Sequence, residues 1–117
     1  MKLFFTILLF AQVSMAAMDN LVCTGYLTSF SMGDILEQHT FDLSKNRDDI
    51  TLGDYTAFLE MTPSGANTEF ALGIVDKNGR IAAYASGAAP KPGRSLAVLH
   101  EAENVSVAIT CDNKSQP

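Results

Sequence analysis

The sequence predicts an all-β protein, a small antiparallel β-sandwich or barrel of about seven strands, with one disulfide joining the N- and C-terminal strands. Three observations predict it. In Val105-Ser106-Val107-Ala108-Ile109-Thr110-Cys111, Val105, Val107, Ile109 and Cys111 share one parity and Ser106, Ala108 and Thr110 the other. That is the period of a half-buried strand, written in residues that suit a pleated surface. Short runs of this kind recur between turn signals, and no segment carries a convincing helical period over ten residues. The two cysteines, Cys23 and Cys111, stand near the two ends of this strand-forming region.

Residues 1–16 read as a secretory signal peptide. Lys2 is a minimal positive start, Leu3 to Ala11 is an apolar run, and Ser14-Met15-Ala16 supplies small residues before a cleavage site. The run is too short to span a bilayer, which takes about 20 apolar residues. No cysteine follows the cleavage site, so the lipoprotein route is closed. Residues 17–117 are then expected to form a single β-domain, periplasmic or secreted.

Leu21 to Phe30 reads as the first strand and Met32-Gly33-Asp34 as a hairpin loop, because Gly takes the left-handed position such loops need. Ile35 to Leu43 returns, with His39, Phe41 and Leu43 facing together; a short helical turn at 34–38 competes. Ser44 to Asp49 is polar and reads as a solvated loop. In Ile50 to Met61 the apolar parity switches at Gly53-Asp54, the mark of a bulge or of a break into two strands. Thr62 to Asn67 reads as a loop. Glu69–Asp76 and Arg80–Ser86 flank Asn78-Gly79, the strongest short-range hairpin signal in the chain. Gly87 to Arg94 holds Pro90 and Pro92 and is expected to project as a loop, since two prolines so close cannot pair in a central strand. Ser95 to Ala102 alternates again, and Glu103-Asn104 turns into the last strand.

Lys+Arg 8 against Asp+Glu 13 gives a formal charge of −5, and removal of Lys2 with the leader makes it −6. Such a balance argues against nucleic acid, which needs a clustered basic surface. A cationic protein is the natural electrostatic match. Two cysteines in an exported chain point to a disulfide, Cys23–Cys111, and the absence of Cys-x-x-Cys argues against a thiol oxidoreductase.

The motifs for other chemistry fall short. Asp76-Lys77-Asn78-Gly79 opens like a calcium loop, but Gly87 stands where the closing Glu belongs. His39 and His100 are the only histidines, and nothing brackets either at zinc-ligand spacing. The chain has no Gly-x-Ser-x-Gly elbow, and Ser64-Gly65 and Ser86-Gly87 are common turn dipeptides. Asn104-Val105-Ser106 and Asn113-Lys114-Ser115 match a glycosylation pattern that arises often by chance. No catalytic, cofactor-binding or metal site is therefore assigned.

Ser64-Gly65-Ala66-Asn67-Thr68, together with the size, the signal peptide and the spread of the cysteines, resembles the small periplasmic β-barrels that inhibit C-type lysozyme. Those proteins carry a Ser-Gly-x-x-Tyr loop and a disulfide on the terminal strand. Here Thr68 stands in place of the Tyr, and their second motif, ending in Thr-Lys-Gly, is missing. The resemblance implies inhibition of C-type lysozyme or another host hydrolase, and the acidic charge fits it, since lysozymes are cationic.

The residues themselves predict an exported, non-catalytic binding module that presents loops to a protein partner. Its expected contact residues are Ser64, Gly65 and Asn67 in one segment, and Lys91 and Arg94 in the other. A self-assembling envelope component is the rival, because unpaired strand edges can be completed by a further chain.

Overall fold

The computed structural model describes residues 20–115. The expected signal peptide and its cleavage point lie outside them. Eight strands follow one another: β1 (Leu21–Ser29), β2 (Ile35–Thr40), β3 (Arg47–Leu52), β4 (Tyr55–Ser64), β5 (Asn67–Val75), β6 (Ile81–Ala88), β7 (Ser95–Glu101) and β8 (Val105–Asn113). They form two four-stranded antiparallel sheets, ordered β2-β1-β8-β7 and β3-β4-β5-β6. Seven strands become eight because Gly53-Asp54 is a full break. Leu52 pairs with Tyr55 across these two residues, and Gly53 has φ +61°, the conformation that a tight hairpin asks of its first central residue.

The parity read in the sequence for β8 holds through the whole strand. Val107, Ile109 and Cys111 are buried, as is Asn113 two residues further on. β8 lies between β1 and β7, pairing Cys23 with Cys111 and Val98 with Ile109. The inner face of the second sheet supplies Leu52, Ala57, Leu59, Phe70, Leu72 and Ile74 to the same core. Burying each of these large side chains is worth about 1.5–3 kcal/mol relative to exposure. At Gly25 in β1 the Cδ1 atom of Ile50 occupies the space a Cβ would need, so the missing side chain lets the two sheets approach.

Cys23 and Cys111 form the disulfide, with Cα atoms 4.0 Å apart and both side chains fully buried. It is a rung between two strands that are already neighbours and lie 88 positions apart in sequence. A crosslink over such a separation removes about 4–5 kcal/mol of loop-closure entropy from the unfolded chain. The bond suits an oxidising compartment.

Four boundaries differ from the sequence reading, one of them at β6, where Gly87 and Ala88 pair with Phe70 and Glu69 so that the expected loop 87–94 begins at 89. Arg47, Asp48 and Asp49 belong to β3 rather than to a solvated loop, pairing with Glu60, Leu59 and Phe58. Thr62 to Ser64 extend β4, so the expected loop at 62–67 contracts to Gly65-Ala66 between paired Ser64 and Asn67. β2 ends at Thr40: Phe41 is buried and its amide donates to the Cys23 carbonyl at 2.9 Å, Leu43 is half-buried, and His39 is exposed, so the three do not share one face.

Candidate binding surfaces

The antiparallel connections divide between the two ends of the sandwich. The β4–β5 turn and the β6–β7 loop share one end with the β2–β3 loop, and the β1–β2, β3–β4, β5–β6 and β7–β8 connections share the other. All five predicted contact residues therefore fall at one end. Ser64, Gly65 and Asn67 are exposed on the tight β4–β5 turn, where Gly65 has φ +63°. Lys91 and Arg94 are exposed on the loop 89–94. The two segments are linked where the Ala89 amide donates to the Thr68 carbonyl at 2.9 Å.

Loop 89–94 is held rather than loose. The side-chain amide of Asn113 donates to the Pro90 carbonyl at 2.9 Å. The Gly93 amide donates to the Asn113 carbonyl, and the Asn113 amide donates to the Arg94 carbonyl, each at 3.0 Å. Within the loop the Arg94 amide donates to the Lys91 carbonyl at 2.9 Å. Gly93, at φ +76°, makes the tight return. The Asn113 Oδ1 also accepts the Ser115 amide. Sequence reasoning gave Asn113 no role beyond a chance acceptor motif. Its position two residues beyond Cys111, on the buried parity, is the signal that marks it.

A second arrangement lies on the outer face of the β3–β6 sheet. Asp49, Phe58, Gly73 and Tyr84 form one row across the four strands. The Phe58 ring lies over Gly73, and the Arg47 guanidinium stacks on that ring at 4.6 Å from its centroid. Arg47 is held at 3.2 Å from Asp49 and 3.3 Å from Glu60. Arg47 is thus engaged by three neighbours.

The β2–β3 loop is ordered by carboxylates. Asp42 accepts both the hydroxyl and the amide of Ser44, and the Asp42 amide donates to Asp48 at 2.8 Å. The two Ser44 donors, helped by Lys45, hold the Asp42 carboxyl below the usual carboxylate range. Asp76 has a similar task in the Asn78-Gly79 hairpin, accepting the amides of Asn78 and Arg80, an Asx turn.

His39 on β2 and His100 on β7 stand on opposite edge strands of one sheet. His100 packs on Tyr55, with ring centroids 5.4 Å apart. Among the described residues no three His, Cys, Asp or Glu side chains are grouped as a metal site. No helix long and apolar enough to cross a membrane is present among the described residues.

Charge is segregated along the strands. The half carrying the predicted residues has Lys45, Arg47, Lys91, Arg94 and Lys114 against Asp42, Asp48, Asp49, Glu60, Glu69 and Asp112. The opposite end has Asp34, Glu37, Asp54, Asp76, Glu101 and Glu103 against Lys77 and Arg80. The carboxylates are thus evenly divided, and the net negative charge falls on the opposite half because most of the basic residues stand near the predicted loops.

No protein-family model, curated protein or solved structure matches this chain.

Proposed function

We propose that the protein is an exported, non-catalytic binding module that engages a protein partner through the end formed by the β4–β5 turn and loop 89–94. The observation that carries this reading is the anchoring of loop 89–94 by Asn113 while Lys91 and Arg94 stay exposed. A loop already ordered before contact loses less conformational freedom on binding, and two cations on it suit a partner surface that offers carboxylates. Alanine at both Lys91 and Arg94 tests it. Capture of the native partner, measured by crosslinking in the producing cells and mass spectrometry, should fall with the fold intact; unchanged capture would remove the loop end from consideration.

A narrower form of the same reading is inhibition of a C-type lysozyme or another host hydrolase. It is favoured by the placement of Ser64-Gly65 on an exposed tight turn beside this loop. The mature protein at micromolar concentration should then slow lysis of cell-wall substrate by C-type lysozyme, and full lysis at that concentration would end this form.

A further inference from the structure

The tip of the β1–β2 hairpin carries an apolar surface with no partner in the fold. Phe30, Met32, Ile35 and Leu36 are exposed to 49%, 67%, 55% and 50% within seven consecutive residues. Elsewhere among the described residues the large exposed apolar side chains are Ile81 and Tyr84 on β6 and Leu99 on β7. Four such side chains gathered on one tip mark an interaction surface more strongly than the same four scattered singly would.

The tip is a built feature of the fold. The Ser29 amide donates to the Asp34 carbonyl at 2.9 Å and the Gly33 amide to the Ser29 carbonyl at 2.8 Å, with Gly33 at φ +69°. The Phe30 amide donates to the Asn104 carbonyl at 3.1 Å, which joins the tip to the β7–β8 turn. That turn carries Glu103, next to Asn104, and Asp34 lies within the tip itself. Glu37, next to Leu36 on β2, reaches towards Gly53 of the other sheet. Asp34, Glu37 and Glu103 thus accompany the apolar side chains, at the end that holds most of the net negative charge of the described residues, six acidic against two basic.

We infer that this tip is a docking surface for a cationic protein segment that presents Lys or Arg beside apolar side chains. Apolar contact with Phe30, Met32, Ile35 and Leu36 supplies affinity, and the carboxylates supply steering and select against acidic partners. A second copy joined tip to tip is a poorer occupant, because it would set its own Asp34 and Glu103 against these carboxylates. The surface is separate from the loop end, at the other pole of the sandwich, so each can fail without the other.

The test is an amide NMR titration of the ¹⁵N-labelled mature protein with a short amphipathic Lys/Leu peptide, alongside Lys/Ser and Glu/Leu peptides of equal length. The Lys/Leu peptide should perturb the amides of Phe30 to Leu36 and Ala102 to Asn104, with binding that weakens as salt rises. The control peptides should bind at least about tenfold more weakly. Phe30→Ser with Met32→Ser, and separately Asp34→Asn with Glu103→Gln, should each weaken binding by about tenfold or more. Both pairs are exposed, so a native-like amide spectrum checks that they fold, and Lys91→Ala with Arg94→Ala should leave the affinity unchanged. Perturbations on another surface, equal binding of the Glu/Leu peptide, no binding at all, or a dimer joined through the tip would each overturn the inference.

Discussion

Asn113, at the end of β8, donates its side-chain amide to the carbonyl of Pro90, 23 residues earlier and in a different connection. The same residue exchanges backbone hydrogen bonds with Gly93 and Arg94. The last strand therefore closes the sheet at one point and holds the exposed basic loop at another.

Replacing Asn113 by Ala removes the donor to Pro90 and the acceptor for the Ser115 amide, in a buried position. A buried polar group left unpaired costs about 1–3 kcal/mol. For a domain of this size each 1 kcal/mol lowers Tm by about 4–8 °C. Thermal unfolding should show a fall in this range, and the amides of Gly93 and Arg94 should exchange with solvent faster than in the parent protein. Asn113→Asp keeps the acceptor but turns an oxygen towards Pro90, so it should cost no less.

Gly73→Ala places a methyl group where the Phe58 ring now lies. The ring must swing out, taking Arg47 from its stacked position, and overpacking of this kind costs about 1–3 kcal/mol. In a Phe58→Ala background the same change should be almost free, because the obstructing ring is gone. Urea denaturation of the four proteins in this cycle checks the coupling; additive effects would contradict the contact.

Removing the disulfide by Cys23→Ala and Cys111→Ala should lower stability by about 2–5 kcal/mol. A small domain has roughly 5–15 kcal/mol in all, so the double variant should be close to unfolding at physiological temperature. Intact-mass analysis of the oxidised protein after alkylation should find no free thiol. Two alkylated cysteines in that material would contradict the bond.

The Asp42 carboxyl is held below its ordinary range by the Ser44 hydroxyl first, then by the Ser44 amide and Lys45. A carboxyl with a depressed folded-state pKa contributes stability at pH values above its unfolded pKa, and that contribution is lost as pH falls through the folded value. The β2–β3 loop should therefore loosen only in acid, below about pH 4. NMR titration should place the Asp42 midpoint below that of an unperturbed Asp, and Ser44→Ala should move it upward. An unchanged midpoint in Ser44→Ala would contradict the assignment.

Much of the fold was legible where one side of a strand is buried and the other is not. β8 showed its parity because half of its side chains enter the core, and the Asn78-Gly79 hairpin showed because its turn demands a left-handed residue, which Gly79 supplies at φ +81°. The start of β3 was not legible. Arg47 and Asp49 point outward from an edge strand, where their partners are Phe58 and Glu60 in a different strand, so their local composition resembles a loop. Thr62 to Ser64 misled for a related reason. Pro63 is tolerated because the β3 ladder reaches only to Glu60, leaving that flank of β4 open to a residue with no N–H. The exposure of Ser64, Gly65, Asn67, Lys91 and Arg94 was legible as turn chemistry, but their shared position required the sheet order. The apolar tip was hidden because Phe30 and Ile35 look like ordinary strand residues until the ladder shows that they lie at and beyond its end.

The most direct test of the binding-module account is site-specific photo-crosslinking in the producing cells, with the probe at position 91, at position 67, and at Thr51 on the outer face of β3 as a control. The account predicts that positions 91 and 67 yield the same crosslinked protein and that Thr51 does not. Adducts that are absent at both loop positions, or equally abundant from Thr51, would contradict it.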